Sequence, residues 1–316
     1  MQPMHPAHPA PGARGCGLGL DAGGTQTRWA VTDASGAVLR QGQVAGFSAL
    51  QLQGAAGQMG IKAVAALLAE IAAAAGPVQA VVAGLTGFDA AQGPLLRGLL
   101  AQALGAGAVH VMSDIELACH AAFAPGEGYV VYAGTGSIAA FVDADGVLQR
   151  AGGRGALIDD AGGGHWIARQ ALRQVWRAED EEPGAWQRSA LAQALFGALG
   201  GSNWAATRQW VYGATRGELG TLALAVAAAA NQGDAAALAL LQHAGRELAR
   251  LALALHRRLG VRPVALAGRV FDLHPAIETE LRQSLHNAVP AGSVVQHVTL
   301  HAHHTAARLA AAQGIL

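Results

Sequence analysis

The sequence is short of charge. Of its 316 residues only 13% are charged, and 21 basic side chains balance 21 acidic ones. Nothing in that composition draws the chain to nucleic acid or to an anionic membrane, so a ligand has to be held by local geometry. Lysine is almost missing: Lys62 is the single one, and its place inside a predicted helix reads as a solvated surface position. Two cysteines, Cys16 and Cys119, are too few for a disulfide framework and lack metal-ligand spacing, which fits a reducing, cytoplasmic setting. Long apolar runs are missing too. The longest, 61–75 and 219–230, are alanine-rich and are interrupted or too short for a membrane span. The opening "MQPMHPAHPAPGARG" has prolines where a signal peptide needs an apolar core, so residues 1–14 are expected to be a disordered leader. His297, His301, His303 and His304 do not have the spacing of a closed zinc site.

What the chain has is apolar material (52%) and 43 glycines. The glycines are concentrated in a repeat. "GLGLDAGGTQTRWAVTD" from Gly17 has a counterpart in "YVVYAGTGSIAAFVDADGVL" from Tyr129. Each copy reads as strand, glycine turn, strand, aspartate-containing tight turn and strand. Ala22-Gly23 and Ala133-Gly134 lie about 110 residues apart, one ordinary domain length. Helical periodicity follows over 50–75, then a buried strand over 78–87, a helix over 91–104 and a strand running into Asp114. After the second copy the pattern is mostly helical from Gly162 to Leu259, with the acidic "AEDEEPG" expected as a solvated loop. A strand over 263–268, a helix over 275–287, a strand near Val294 and a closing helix over 305–313 complete it. Two α/β domains with mixed sheets flanked by helices are therefore expected. Their bounds are 15–113 and 114–300, with the closing helix in 301–316 packing back on the first.

A glycine turn can be an ordinary hairpin, but successive bare N–H groups also make a concave anion site. Two such turns in equivalent places favour the second reading. They assign phosphate contacts to Gly23, Gly24, Thr25, Gln26 and Thr27 and to Gly134, Thr135, Gly136 and Ser137, with the hydroxyls as added donors. Asp21, at the end of the first strand, is placed to hold a phosphate-bound Mg²⁺ directly or through water. Asp114 stands where a strand meets a helix. There it serves either the helix start, with Ser113 and Glu116 forming a capping box, or chemistry at the strand end.

"DAGGTQTRWAVTD", "YAGTGSIA" and "VALAGRVF" resemble the two phosphate motifs and the adenosine motif of the sugar kinase, Hsp70 and actin superfamily. "GYVVYAGTGSIA" followed by "AGGRGALIDDAGGGHWIARQAL" is similar, more narrowly, to the N-acetylglucosamine and glucosamine kinase branch of the BadF/BadG/BcrA/BcrD ATPase family. The resemblance runs from Gly15 onward. It implies two ribonuclease H-like (actin-like ATPase) domains with ATP in the cleft between them, Gly268 against the adenosine, and Asp114 as the general base. Asp160, Gly153 and Arg154 fall on sugar-binding positions, although Asp160 also stands near a helix start that its charge would suit. Ser48, within "GFSAL", and Thr86 are further sugar contacts. Arg154 stands in place of the family's tryptophan, Asp159 of a glycine, Ala161 of a glutamate, His165 of a tyrosine and Arg269 of a glycine.

The expected activity is ATP- and Mg²⁺-dependent phosphorylation of a small amino sugar, N-acetylglucosamine or glucosamine, at the 6-hydroxyl. The expected assembly is compatible with a homodimer, with neither nucleic acid nor membrane as partner. A sensor of sugar or nucleotide on the same fold is the alternative, motivated by the substitutions at 154, 161 and 269. The family's electron-transfer ATPases need cluster-ligating cysteines in loops, whereas Cys119 lies in a predicted helix and Cys16 precedes a strand.

Overall fold

A computed structural model describes residues 15–52, 57–289 and 293–313; the leader over 1–14 lies outside the described residues. Contacts divide the chain into two compact units. One comprises the described residues up to Ala121 and those from Leu300 on, and the other is Ala122–Thr299.

The first unit opens with an antiparallel meander, β1 (Gly17–Ala22), β2 (Gln26–Thr32) and β3 (Val38–Ala45). Asp33 makes the second turn by accepting N–H bonds from Ser35 and Ala37, an Asx turn written in the sequence. After a short 3-10 turn at Ala49–Leu52 come α1 (Gly57–Ala75), β4 (Ala80–Leu85), α2 (Gly93–Leu104), β5 (Ala108–Ser113) and α3 (Asp114–Ala122). Of the helix expected over 50–75, residues 53–56 lie outside the described residues. The sheet order is β3-β2-β1-β4-β5, with β4 parallel to both β1 and β5. All of α3 but its last residue falls within the first unit, so this unit extends past the strand end at 113.

One expectation is corrected here. Over Gln58–Ala75, α1 is long and apolar enough to cross a membrane by length and composition, with mean hydropathy 1.4 over 18 residues. In the fold its Val64, Leu68, Ile71 and Ala75 are buried with Leu18 and Leu20 of β1, as the apolar stripe of an amphipathic helix should be.

The second unit repeats the plan. Its meander is β6 (Tyr129–Ala133), β7 (Ser137–Val142) and β8 (Leu148–Gly152), followed by α4 (Gly164–Glu181), α5 (Ala190–Leu199), α6 (Trp204–Gly213), α7 (Arg216–Thr221), α8 (Ala223–Asn231) and α9 (Ala235–Leu259). β9 (Val264–Ala267), α10 (Pro275–Ala288) and β10 (Val295–His297) close it. Read from the far edge, the order β8-β7-β6-β9-β10 matches that of the first sheet strand for strand. Asp234 caps α9 through the N–H groups of Ala236 and Ala237 and also accepts from Leu191 N of α5. The acidic "AEDEEPG" is not all loop: α4 continues to Glu181. Glu179, still helical, accepts the N–H groups of Gly184 and Trp186 and so fastens the turn that follows.

The last helix, α11 (Ala302–Gln313), returns to the first unit and lies on β1. Here the glycines of "GLGL" find their use. A Cβ on Gly17 would strike Ala307 O and Ala310 C, and one on Gly19 would strike Ala306 C. Alternation along β1 thus sends Leu18 and Leu20 to one face and two bare glycines to the other, under Ala306 and Ala310.

Candidate functional site

In the first unit the carboxyl ends of the parallel strands gather the polar groups. Register pairs Ala22 with Leu85 and Leu85 with Ser113, so Asp21, Thr86 and Asp114 stand at the same edge of the sheet. Thr86 N donates to Ala22 O, and its hydroxyl donates to Asp114 Oδ2 at 2.6 Å. Asp114 Oδ1 accepts the N–H of Ile115 at 2.8 Å, while Ser113 Oγ accepts that of Glu116. The helix start is therefore served by Ser113, and the Asp114 carboxylate is held between a hydroxyl and a backbone amide.

Asp21 is the electrostatic neighbour of this group. Burial first, then the charge of Asp114, push its carboxyl up to about 6 against a downward pull from Arg28. The two carboxylates and the Thr86 hydroxyl make an all-oxygen donor set of the kind Mg²⁺ takes together with water and phosphate. Among the described residues no group of three or more His, Cys, Asp or Glu is arranged to hold a metal by itself. A cation here would need ligand oxygens from phosphate as well. The histidines near the end of the chain likewise form no such group.

The first glycine turn begins beside Asp21. Gly23 N donates to Gln26 O at 3.0 Å, and the Gly46 N–H donates to Thr25 O at 3.2 Å. A Cβ on Gly46 would fall 2.5 Å from Gln26 N, so "GFSAL" lies directly on the turn, and Ala49 N donates to Thr86 O. Ser48 is half-buried next to that contact. Among the described residues the amides of Gly24 and Thr25 have no protein acceptor. Gln26 bonds Gln43 on β3. Thr27 differs from its neighbours: it is fully buried, and its hydroxyl has no partner among the described residues. As the second residue of β2 it points to the inner face by strand alternation, whereas Thr25 is exposed.

The second unit holds the other turn. Gly134 N donates to Gly136 O at 2.9 Å. The start of α4 lies against it: Gly164 N donates to Gly134 O at 2.8 Å and His165 N to Thr135 O at 3.0 Å. A Cβ on Gly163 would come within 2.7 Å of Gly136 C. With those carbonyls occupied, the amides of Thr135 and Gly136 are left without a protein acceptor among the described residues. Ser137, one residue into β7, is buried and donates to Ala161 O at 2.7 Å, so its proton serves the fold. Gly268 (φ +101) sits where a Cβ would overlap Ala133 O, and Val270 N donates to that same oxygen. This places the "ALAGRV" turn beside the start of the glycine turn, with Arg269 exposed.

Asp160 has φ +59 and is the single non-glycine residue at positive φ among the described residues. Its side chain is 4% exposed; Oδ1 accepts Gly155 N at 3.0 Å and Oδ2 accepts Arg216 Nη2 at 2.7 Å. Gly153 N donates to Ser137 O, and Arg154 is exposed. Asp159 pairs with Arg250 at 3.0 Å, and Ala161 is buried in the core. Arg216 was not foreseen. It lies far along the chain from Asp160, and the only sequence signal near it is Thr215–Glu218, a capping box that marks a helix start.

A model of the BadF/BadG/BcrA/BcrD ATPase family matches residues 18–311. Over 172 residues the chain is 27% identical to the N-acetylmuramic acid/N-acetylglucosamine kinase of Clostridium acetobutylicum; the match covers 54% of this chain and 55% of that relative, about half its length. A solved structure from Chromobacterium violaceum, named as a candidate N-acetylglucosamine kinase, superposes with TM-score 0.67 at 27% identity, covering 95% of this chain and 96% of the other. A candidate N-acetylglucosamine kinase from Porphyromonas gingivalis superposes with TM-score 0.68 at 19% identity over 91% and 96% of the two chains, a likeness of fold. The paired five-stranded sheets are those of the actin-like ATPase fold.

Proposed function

Since the chain belongs to the BadF/BadG/BcrA/BcrD ATPase family, we propose that it is an ATP-dependent kinase of an amino sugar, N-acetylglucosamine or glucosamine, phosphorylating the 6-hydroxyl. The observation that carries this reading is the grouping of Asp21, Thr86 and Asp114 at one sheet edge, beside a glycine turn with open amides. The names of the relatives support the substrate class.

Asp114 accepts the proton of the sugar hydroxyl as its oxygen bonds to the terminal phosphorus of ATP and the bond to the ADP oxygen breaks. Thr86 and Ile115 N fix the carboxylate that does so. Asp21 is the residue to hold Mg²⁺, which when bound neutralises phosphate charge. The amides of Gly24 and Thr25, and of Thr135 and Gly136, hold phosphate oxygens, a use of backbone dipoles that needs no reorganisation. Gly268 keeps the chain close to Ala133 and leaves room for the adenosine. Ser48, Thr86, Gly153 and Arg154 are the candidate sugar contacts. Asp160 joins them if a hydroxyl takes over one of its present donors.

A coupled assay of ADP release against free hexoses and 2-amino hexoses tests the reading. Release dependent on an amino sugar, with the phosphate found on the 6-oxygen by phosphorus–proton NMR, supports it. Tight sugar binding without turnover would instead indicate a sensor built on this fold.

A further inference from the structure

We propose that Arg216 is a phosphate-binding residue of the second glycine turn, held in place by Asp160. This rests on the kinase reading for its ligand, a nucleoside di- or triphosphate, and adds a residue that neither the motifs nor the relatives' names assign.

The argument starts from Gly136. A Cβ there would lie 2.5 Å from Arg216 Nη2 and against Asp160 Oδ2, so the guanidinium occupies the space a side chain would fill at the turn. That turn is the one whose Thr135 and Gly136 amides face no protein acceptor among the described residues. The two partners of the ion pair are unequally placed: the Asp160 side chain is 4% exposed and that of Arg216 is 48% exposed. Asp160 is also fixed from its own backbone, at φ +59 with Gly155 N on its other oxygen. Such a residue anchors, and the arginine is what it presents.

The base of Arg216 is equally well set. Thr215 and Glu218 bond each other reciprocally, Thr215 N and Oγ1 to Glu218 Oε2 and Glu218 N to Thr215 Oγ1, so the Glu218 carboxylate is committed and does not compete for the guanidinium. Gly220 of the same helix packs near His165 N and the Thr135 methyl. Arginine carries five N–H donors in a planar fork suited to phosphate, and the bond to Asp160 engages one of them. A cation at half exposure beside two open amides fits a polyanion better than it fits a buried structural pair.

The test is direct binding. Calorimetry would measure ADP, adenosine and inorganic pyrophosphate against the wild-type protein, Arg216→Gln, Arg216→Lys, Asp160→Asn and, as a control on the exposed face of α6, Arg208→Gln. We expect Arg216→Gln to weaken ADP and pyrophosphate about tenfold or more, the loss of one charge-assisted contact, while adenosine binds within twofold of wild type. Arg216→Lys should recover part of the loss, Asp160→Asn should lose in the same phosphate-selective way, and Arg208→Gln should change nothing. Equal weakening of ADP and adenosine in Arg216→Gln would assign Arg216 to the fold alone and overturn the proposal. So would unchanged ADP binding by a wild-type-like variant, and that result would leave the kinase reading intact. A wild-type protein that binds none of the three would overturn both.

Discussion

Asp21 and Asp114 set the electrostatics at the sheet edge of the first unit. Because burial and the Asp114 charge hold the Asp21 carboxyl up at about 6, removing that charge in Asp114→Asn should lower the Asp21 titration, read by carbon NMR of the carboxyl. The same variant should bind ATP as wild type does and lose turnover about a hundredfold to ten-thousandfold, the usual range for a general base. Near-normal turnover would take Asp114 out of the mechanism. The sign of the linkage follows from the raised value. Between pH 4 and pH 6 the folded protein binds a proton at Asp21 that the unfolded chain has already released, so the contribution of Asp21 to stability falls as pH rises through that window. Asp21→Asn should flatten this part of the pH–stability curve. At this scale much was legible in advance, since a carboxylate that ends a buried strand leaves a visible mark in the sequence. The state of Asp160 was not. Its partner Arg216 comes from a distant helix, and no local pattern announces a tertiary ion pair.

The second glycine turn and the start of α4 are built as one piece, with helix N–H groups on turn carbonyls. Gly136→Ala should therefore disturb the pair behind it: its Cβ meets the Asp160 carboxylate and Arg216. Overpacking of this kind costs about 1–3 kcal/mol, and a thermal melt should fall accordingly, together with nucleotide affinity. Gly24→Ala, whose Cβ would meet nothing within 4 Å, is the matched control and should melt as wild type does. The strand and helix plan was readable because the repeat carried it: hairpin, glycine turn and crossing order recur in both sheets. Strand alternation also carries a signal that the phosphate motif masks: Thr27 and Ser137 turn inward. The first is buried without a partner among the described residues and the second donates to Ala161 O.

At the scale of the whole molecule, His303 adds a second link between fold and pH. His303 on α11 is buried, its Nδ1 has no partner among the described residues, and burial, then His304, Arg28 and His301 hold its pKa down at about 4. The unfolded chain takes up a proton there below about pH 6.5 and the folded chain does not, so the contribution of His303 to stability falls as pH drops from 6.5 to 4, opposite in sign to that of Asp21. Relative to wild type, His303→Leu should gain stability as pH drops through that range, read by thermal melts. Persistence of the full wild-type dependence would clear His303 of the effect. The division into units was legible only in outline, because which strand the final helix covers depends on bare glycines that read equally well as part of a phosphate motif.

That covering helix sets an order of events during synthesis. The strand it roofs leaves the ribosome before the inserted lobe and the roof leaves after it, so the opening lobe waits half-built while the whole inserted lobe is translated and folds. Nascent chains arrested before Ala302 should be cut by protease within the opening lobe and spared within the inserted one, and emergence of α11 should close the gap.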